Sequence, residues 1–144
     1  MNQVYRTDYM NKAQAIEAQQ WLSKRMQAQT GDPRMQFPPG WMPETGLVCL
    51  GDDDKLLAVV ILYLERSSAV AVSGWCVANP ENGPAVSLKA LRLLLGSLPG
   101  YAKCLGAKHL LTYFGNRGLN KILDDVGFSN GDGTVVQKYF NLER

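Results

Sequence analysis

Few side chains in this sequence are spaced for chemistry. His109 is the single histidine, so a histidine-rich metal site is excluded. Cys49, Cys76 and Cys104 are odd in number, far apart and without CxxC spacing. They read as small buried apolar residues in a reducing cytosol. The run Asp52-Asp53-Asp54 suits a solvent-exposed hairpin tip and lacks the further ligands of a calcium loop. No Gly-x-Ser-x-Gly elbow, Walker loop, dinucleotide fingerprint or zinc spacing occurs. Serine hydrolase, NTPase and zinc enzyme readings are therefore unsupported. One stretch does carry a signal. Pro80-Glu81-Asn82-Gly83-Pro84-Ala85 stands ahead of leucines at helical spacing. A helix that starts there offers unpaired N–H groups and partial positive charge to an anion. The same residues also make a plain Asn-Gly-Pro turn.

The elements that position this stretch follow from hydrophobic period. The strand-like Gln3–Arg6 precedes a helix to about Gln29, capped by Asp8 or Asn11, with Ala15, Ala18, Leu22 and Met26 on one face. Residues 31–45 hold four prolines and read as a surface loop. Its Phe37, Trp41 and Met42 either pack on the core or line a cleft. Three strands follow: Gly46–Leu50, Lys55–Glu65 and Ala69–Val77. Hairpins join them, which predicts an antiparallel sheet. Leu88, Leu91, Leu94, Leu95 and Leu98 mark a helix over 85–105. Pro99-Gly100 predicts a kink or two short helices there, and Gly106 ends the run. A buried strand His109–Phe114, a short helix Asn116–Val126 and a last strand Thr134–Leu142 complete the order. Hairpins mixed with crossovers imply an α+β fold with a mixed, mostly antiparallel central sheet and helices on both faces.

The 144 residues, 46% apolar, suit one domain over 1–144. A net charge of +2 gives no reason to expect nucleic acid. The longest apolar run, Leu56–Leu64, is about half of the roughly 18 residues that suggest a span, so no membrane partner is expected. The N-terminus has no secretory signal character, and the expected compartment is the cytoplasm.

This order resembles the GNAT superfamily of acetyl-CoA-dependent N-acyltransferases. The likeness lies in Arg6 and Asp8 leading into the first helix, and in a long hairpin over 55–78 that ends at Asn79-Pro80. It continues in a glycine-bearing loop before a leucine-rich helix, and in the ending Gly106, strand, Asn116, Gly127-Phe128. The resemblance implies acetyl-CoA as cofactor and acetyl transfer to a primary amine, on a small molecule or a protein, in a ternary complex. It implies cofactor contacts at Val77, Ala78, Asn82, Gly83, Ala85, Val86 and Asn116. Pairing into a homodimer through the last strand is common among such proteins.

The chain departs from that pattern in two places. Pro80 stands where the phosphate loop has a basic or amide residue, and Pro84 removes one N–H. Leu123 occupies the position, seven after Asn116, where many members carry an acidic tyrosine. Tyr113 and Tyr139 are the remaining candidates for the acid, and Glu65 for the base. The alternative is a catalytically weak or inactive binding module that contacts a protein partner through Phe37, Trp41 and Met42.

Overall fold

The structure, a computed structural model, describes residues 3–35, 43, 45–114 and 116–131. Phe37, Trp41, Met42, Tyr139 and the expected strand 134–142 lie outside the described residues. In chain order the elements are β1 (Arg6–Tyr9), α1 (Lys12–Thr30), β2 (Gly46–Leu50), β3 (Leu56–Glu65), β4 (Val70–Ala78), α2 (Pro84–Cys104), β5 (His109–Thr112) and α3 (Arg117–Asp125). The sheet order is β1-β2-β3-β4-β5. The first four strands are antiparallel and β5 runs parallel to β4, the mixed α+β arrangement expected from the period.

Alternation along the strands divides the core into two layers. Val48, Val59, Ile61 and Val77 pack under α1 with Ala15, Ala18, Trp21 and Leu22. Leu47, Cys49, Val60 and Leu62 pack on the opposite face with Leu94, Leu95 and Leu98 of α2 and Ile122 and Leu123 of α3. Helices thus cover both faces.

Four readings differ from expectation by more than a terminal residue. The first strand lies at Arg6–Tyr9, displaced from Gln3–Arg6, because its register with β2 pairs Arg6 with Leu50 and Tyr9 with Leu47. Asp8 falls inside that strand. Asn11 alone caps α1, in a reciprocal box with Gln14 at 2.9 Å in each direction. The third difference is α2, which runs unbroken through Pro99. The proline lies on the exposed side, while Leu94, Leu95, Leu98 and Ala102 stay buried across it. Packing on the sheet outweighs the one lost backbone bond. The fourth is β5, which stops at Thr112, short of Phe114. It alternates exposed and half-buried residues where a buried strand was expected, because it lies at the edge of the described sheet.

The register of β3 and β4 shifts between Ile61 and Tyr63. Ile61 pairs with Trp75 but Tyr63 pairs with Val72, so β4 carries one extra residue at Ser73-Gly74. The fully buried Ser73 turns its hydroxyl to the Ile61 carbonyl at 2.6 Å. The bulge inverts which side chains face which layer. Ala71 packs on the α2 side before it, and Cys76 does so after it. Ser73→Ala leaves the Ile61 carbonyl without this partner. It is expected to cost about 1–3 kcal/mol of stability, read as a lower denaturant midpoint with an unchanged slope.

Candidate functional site

The shared ladder of β4 and β5 spans Val70–Ser73 against His109–Thr112. One further bond, from Tyr113 N–H to Ser73 O at 3.0 Å, closes it. β4 then continues to Ala78 on its pairing with β3. Meanwhile β5 gives way through Phe114 and Asn116 to α3. A Cβ built on Gly74 would meet nothing within 4 Å, as expected where two strands part.

The parting opens a cleft of about 540 Å³, within the usual range of small-molecule sites. Cys76 and Ala78 of β4 line it, and they face it because the bulge has switched the alternation. Pro84, Leu88 and Leu91 contribute from α2, and Gly118, Leu119 and Ile122 from α3. Asn116 stands at the start of α3. Its Oδ1 accepts from Gly118 N–H at 2.7 Å and Leu119 N–H at 3.2 Å, so it caps the helix while lining the cleft.

The loop leading into α2 is tied to the sheet. Asn79 donates from Nδ2 to Leu56 O at 3.0 Å and accepts from Glu81 N–H at 2.9 Å. Asn82 donates from Nδ2 to Leu57 O at 2.8 Å, so its side chain holds the loop to β3. Gly83 is the N-cap of α2, with φ −68°, and Pro84 is at the first helical position. Ala85 is exposed and Val86 half-buried in the first turn, where helical N–H groups have no partner within the helix. Ala78 lines the cleft, whereas the Val77 side chain is buried in the layer beneath α1.

The candidate proton-transfer groups are not brought together. Glu65 ends β3, and the other end of that strand pairs with Ala78. Seven strand residues separate Glu65 from Ala58, Ala78's partner, or about 23 Å. Glu65 accepts bonds from the Ser67 hydroxyl and the Ser67 N–H, which hold its carboxyl below the usual range. That shift weakens it as a base. Tyr113 does stand where β4 and β5 part, 41% exposed, between the inward-facing Thr112 and Phe114. Leu123 is buried in the α2–α3 core.

Cys76 and Arg25 were not singled out by sequence reasoning. Among the described residues that line the cleft, Arg25 of α1 is the one charged side chain. Burial pushes the Cys76 thiol up to about 12, with the Arg25 charge pulling against it, and burial pushes Cys49 to about 11. Lys89 lies 5.1 Å from the Tyr5 ring centre and Arg92 pairs with Asp125 at 3.3 Å, so both engage residues outside the cleft lining. Arg117 opens α3.

No known family's sequence profile matches the chain, and no curated protein matches it in sequence. Solved structures do match in fold. One is a probable acetyltransferase at 14% identity, covering 98% of this chain and 99% of that one, with a TM-score of 0.59. Another is the ribosomal-protein-alanine N-acetyltransferase of Brucella melitensis biovar Abortus 2308 at 13% identity, covering 94% and 100%, with a TM-score of 0.59. A third is an aminoglycoside acetyltransferase from an uncultured soil metagenomic sample at 11% identity, covering 97% and 96%, with a TM-score of 0.54. The chain therefore has the GNAT-like fold that its motif order resembles.

The buried thiols should be silent to alkylation. At pH 8 a group titrating near 11 is about one part in a thousand thiolate. Cys104 departs from the expectation that all three cysteines are buried, because it ends α2 on the exposed side. Iodoacetamide is expected to label Cys104 alone in the folded protein, and Cys49 and Cys76 only after denaturation. Peptide mass mapping reads the difference.

Proposed function

We propose that this chain moves an acetyl group from acetyl-CoA to a primary amine by direct transfer in a ternary complex. The observation that supports the reading best is the parting of β4 and β5 after Ser73, which opens a cleft between the end of β4 and the start of α2. The residues present fit the cofactor. A thin arm suits the small side chains of Ala78 and Gly118 at the cleft wall. Anionic phosphates suit the first turn of α2, where a Cβ on Gly83 would meet nothing within 4 Å. The fit is weakened at two points: Pro84 offers no N–H, and Glu81 brings negative charge. The backbone around Val77 and Ala78, the loop 82–86 and Asn116 would hold the cofactor, which supplies an activated thioester carbonyl.

Direct transfer accords with the state of Cys76, which lies in the cleft but is held protonated by burial. The described lining of the cleft includes no carboxylate, so the acceptor amine is taken to lose its proton to water. Tyr113 is the proposed acid at the mouth and Tyr139 a second candidate for it, whereas Glu65, the candidate base, stands remote from the cleft. The acceptor is a small molecule or a protein, and the working unit is a domain over 1–144, in the cytoplasm, as a monomer or homodimer. No described helix is long and apolar enough to cross a membrane.

The second reading is a GNAT-fold binding module that has lost transfer chemistry. Leu123 favours it, since the position of the usual acidic tyrosine is occupied by a core leucine.

Calorimetry should show saturable one-site binding of acetyl-CoA to protein stripped of copurified ligand. Absence of binding at millimolar cofactor would remove the transferase reading. Gly83→Glu meets no neighbour and needs no unusual φ, so its circular dichroism should match the parent while acetyl-CoA binding is lost. In an amine screen that releases coenzyme A, Tyr113→Phe is expected to lower kcat about a hundredfold with little change in KM. An unchanged kcat excludes Tyr113 as the acid.

A further inference from the structure

Arg25 stands beside the buried stripe of α1. Ala15, Ala18, Leu22 and the half-buried Met26 turn into the sheet, and Arg25, one turn after Trp21 and Leu22, lies at the edge of that face. An arginine is accommodated because the sheet has opened there. After Ser73 the strands part, and the later turns of α1 meet the cleft. Arg25 lines that cleft with Cys76, Ala78 and Pro84. It is exposed, and it makes no ion pair or side-chain hydrogen bond with any described residue. No described carboxylate shares the lining. A guanidinium in this setting matches an oxyanion, which it can hold through two parallel N–H donors.

We infer that Arg25 is the anion-recognising residue of this cleft, taking a phosphate or carboxylate oxyanion of the bound ligand. The inference rests on the proposed acetyl transfer only for the source of that oxyanion, either the phosphates of the cofactor or a carboxylate on the amine acceptor. The first source would offset the donors that Pro80 and Pro84 remove from the phosphate loop. The second would select acceptors in which a carboxylate lies near the amine.

The test titrates the full chain, Arg25→Ala and Arg25→Lys with inorganic pyrophosphate, acetyl-CoA and S-acetylpantetheine, which lacks the phosphates. Circular dichroism checks each fold. Arg25→Ala should weaken pyrophosphate binding roughly tenfold or more, with Arg25→Lys intermediate. If the cofactor carries the oxyanion, acetyl-CoA weakens in parallel and S-acetylpantetheine does not. If the acceptor carries it, acetyl-CoA affinity holds while kcat/KM for free amino acids falls relative to their carboxamides. The inference is overturned if Arg25→Ala matches the parent in both affinities and in that selectivity. A parent that binds pyrophosphate through Arg25 but ignores acetyl-CoA overturns the transferase reading and leaves the anion site standing. A parent that binds neither overturns both.

Discussion

The hydroxyl of Ser73 on the carbonyl of Ile61 secures the irregularity on which the cleft depends. A regular β4 would present Trp75 and Val77 to the α2 side. The extra residue at Ser73-Gly74 sends those two toward α1 and turns Cys76 and Ala78 to the cleft instead. The last rung with β5 falls at the same place. One buried polar contact thus sits where the sheet both changes phase and divides. The bond answers a general demand, since a carbonyl displaced from its ladder inside a core needs another donor.

The electrostatics of the cleft follow from what lines it. Small and apolar side chains keep its floor at low polarity, and they suppress ionisation of Cys76. The described acidic residues lie outside the lining. Asp54 pairs with Arg6, Asp32 with Arg34, and Asp125 with Arg92. What remains facing the opening is the guanidinium of Arg25 and the amide of Asn116. Among the described residues, such a lining offers one cation and no carboxylate.

Much of the fold was legible because period survives in the sequence. The continuous apolar run Leu56–Leu64 reads as a strand covered on both faces, and it is one from Leu56 to Leu62, beyond which Tyr63 is exposed. Gly46–Leu50 has the expected bounds, and Asn116 heads α3 as its position suggested. Pro99 misled because a local rule about hydrogen bonding was outweighed by long-range packing on the sheet. The site was less legible. The loop 80–85 was visible as an irregularity, but the parity of β4 depends on where the bulge falls. That is a property of pairing with β3. Arg25 had one weak signal, a cation at the edge of the α1 stripe, and its meaning required knowing where the sheet stops. Glu65 shows the converse, because alternation gives a side chain's face but not its distance from a cleft.

The parallel attachment of β5 has a consequence for what the cavity joins. β2, β3 and β4 join through short turns, whereas Val70 and its partner His109 are 39 positions apart in the chain. The connection is itself built into the fold, since α2 fills most of it and packs with Ile122 and Leu123 of α3. One wall of the cleft belongs to the β5–α3 segment and the floor belongs to the meander. The boundary between two segments far apart in the chain thus runs along the cavity itself, and a molecule entering there bridges them.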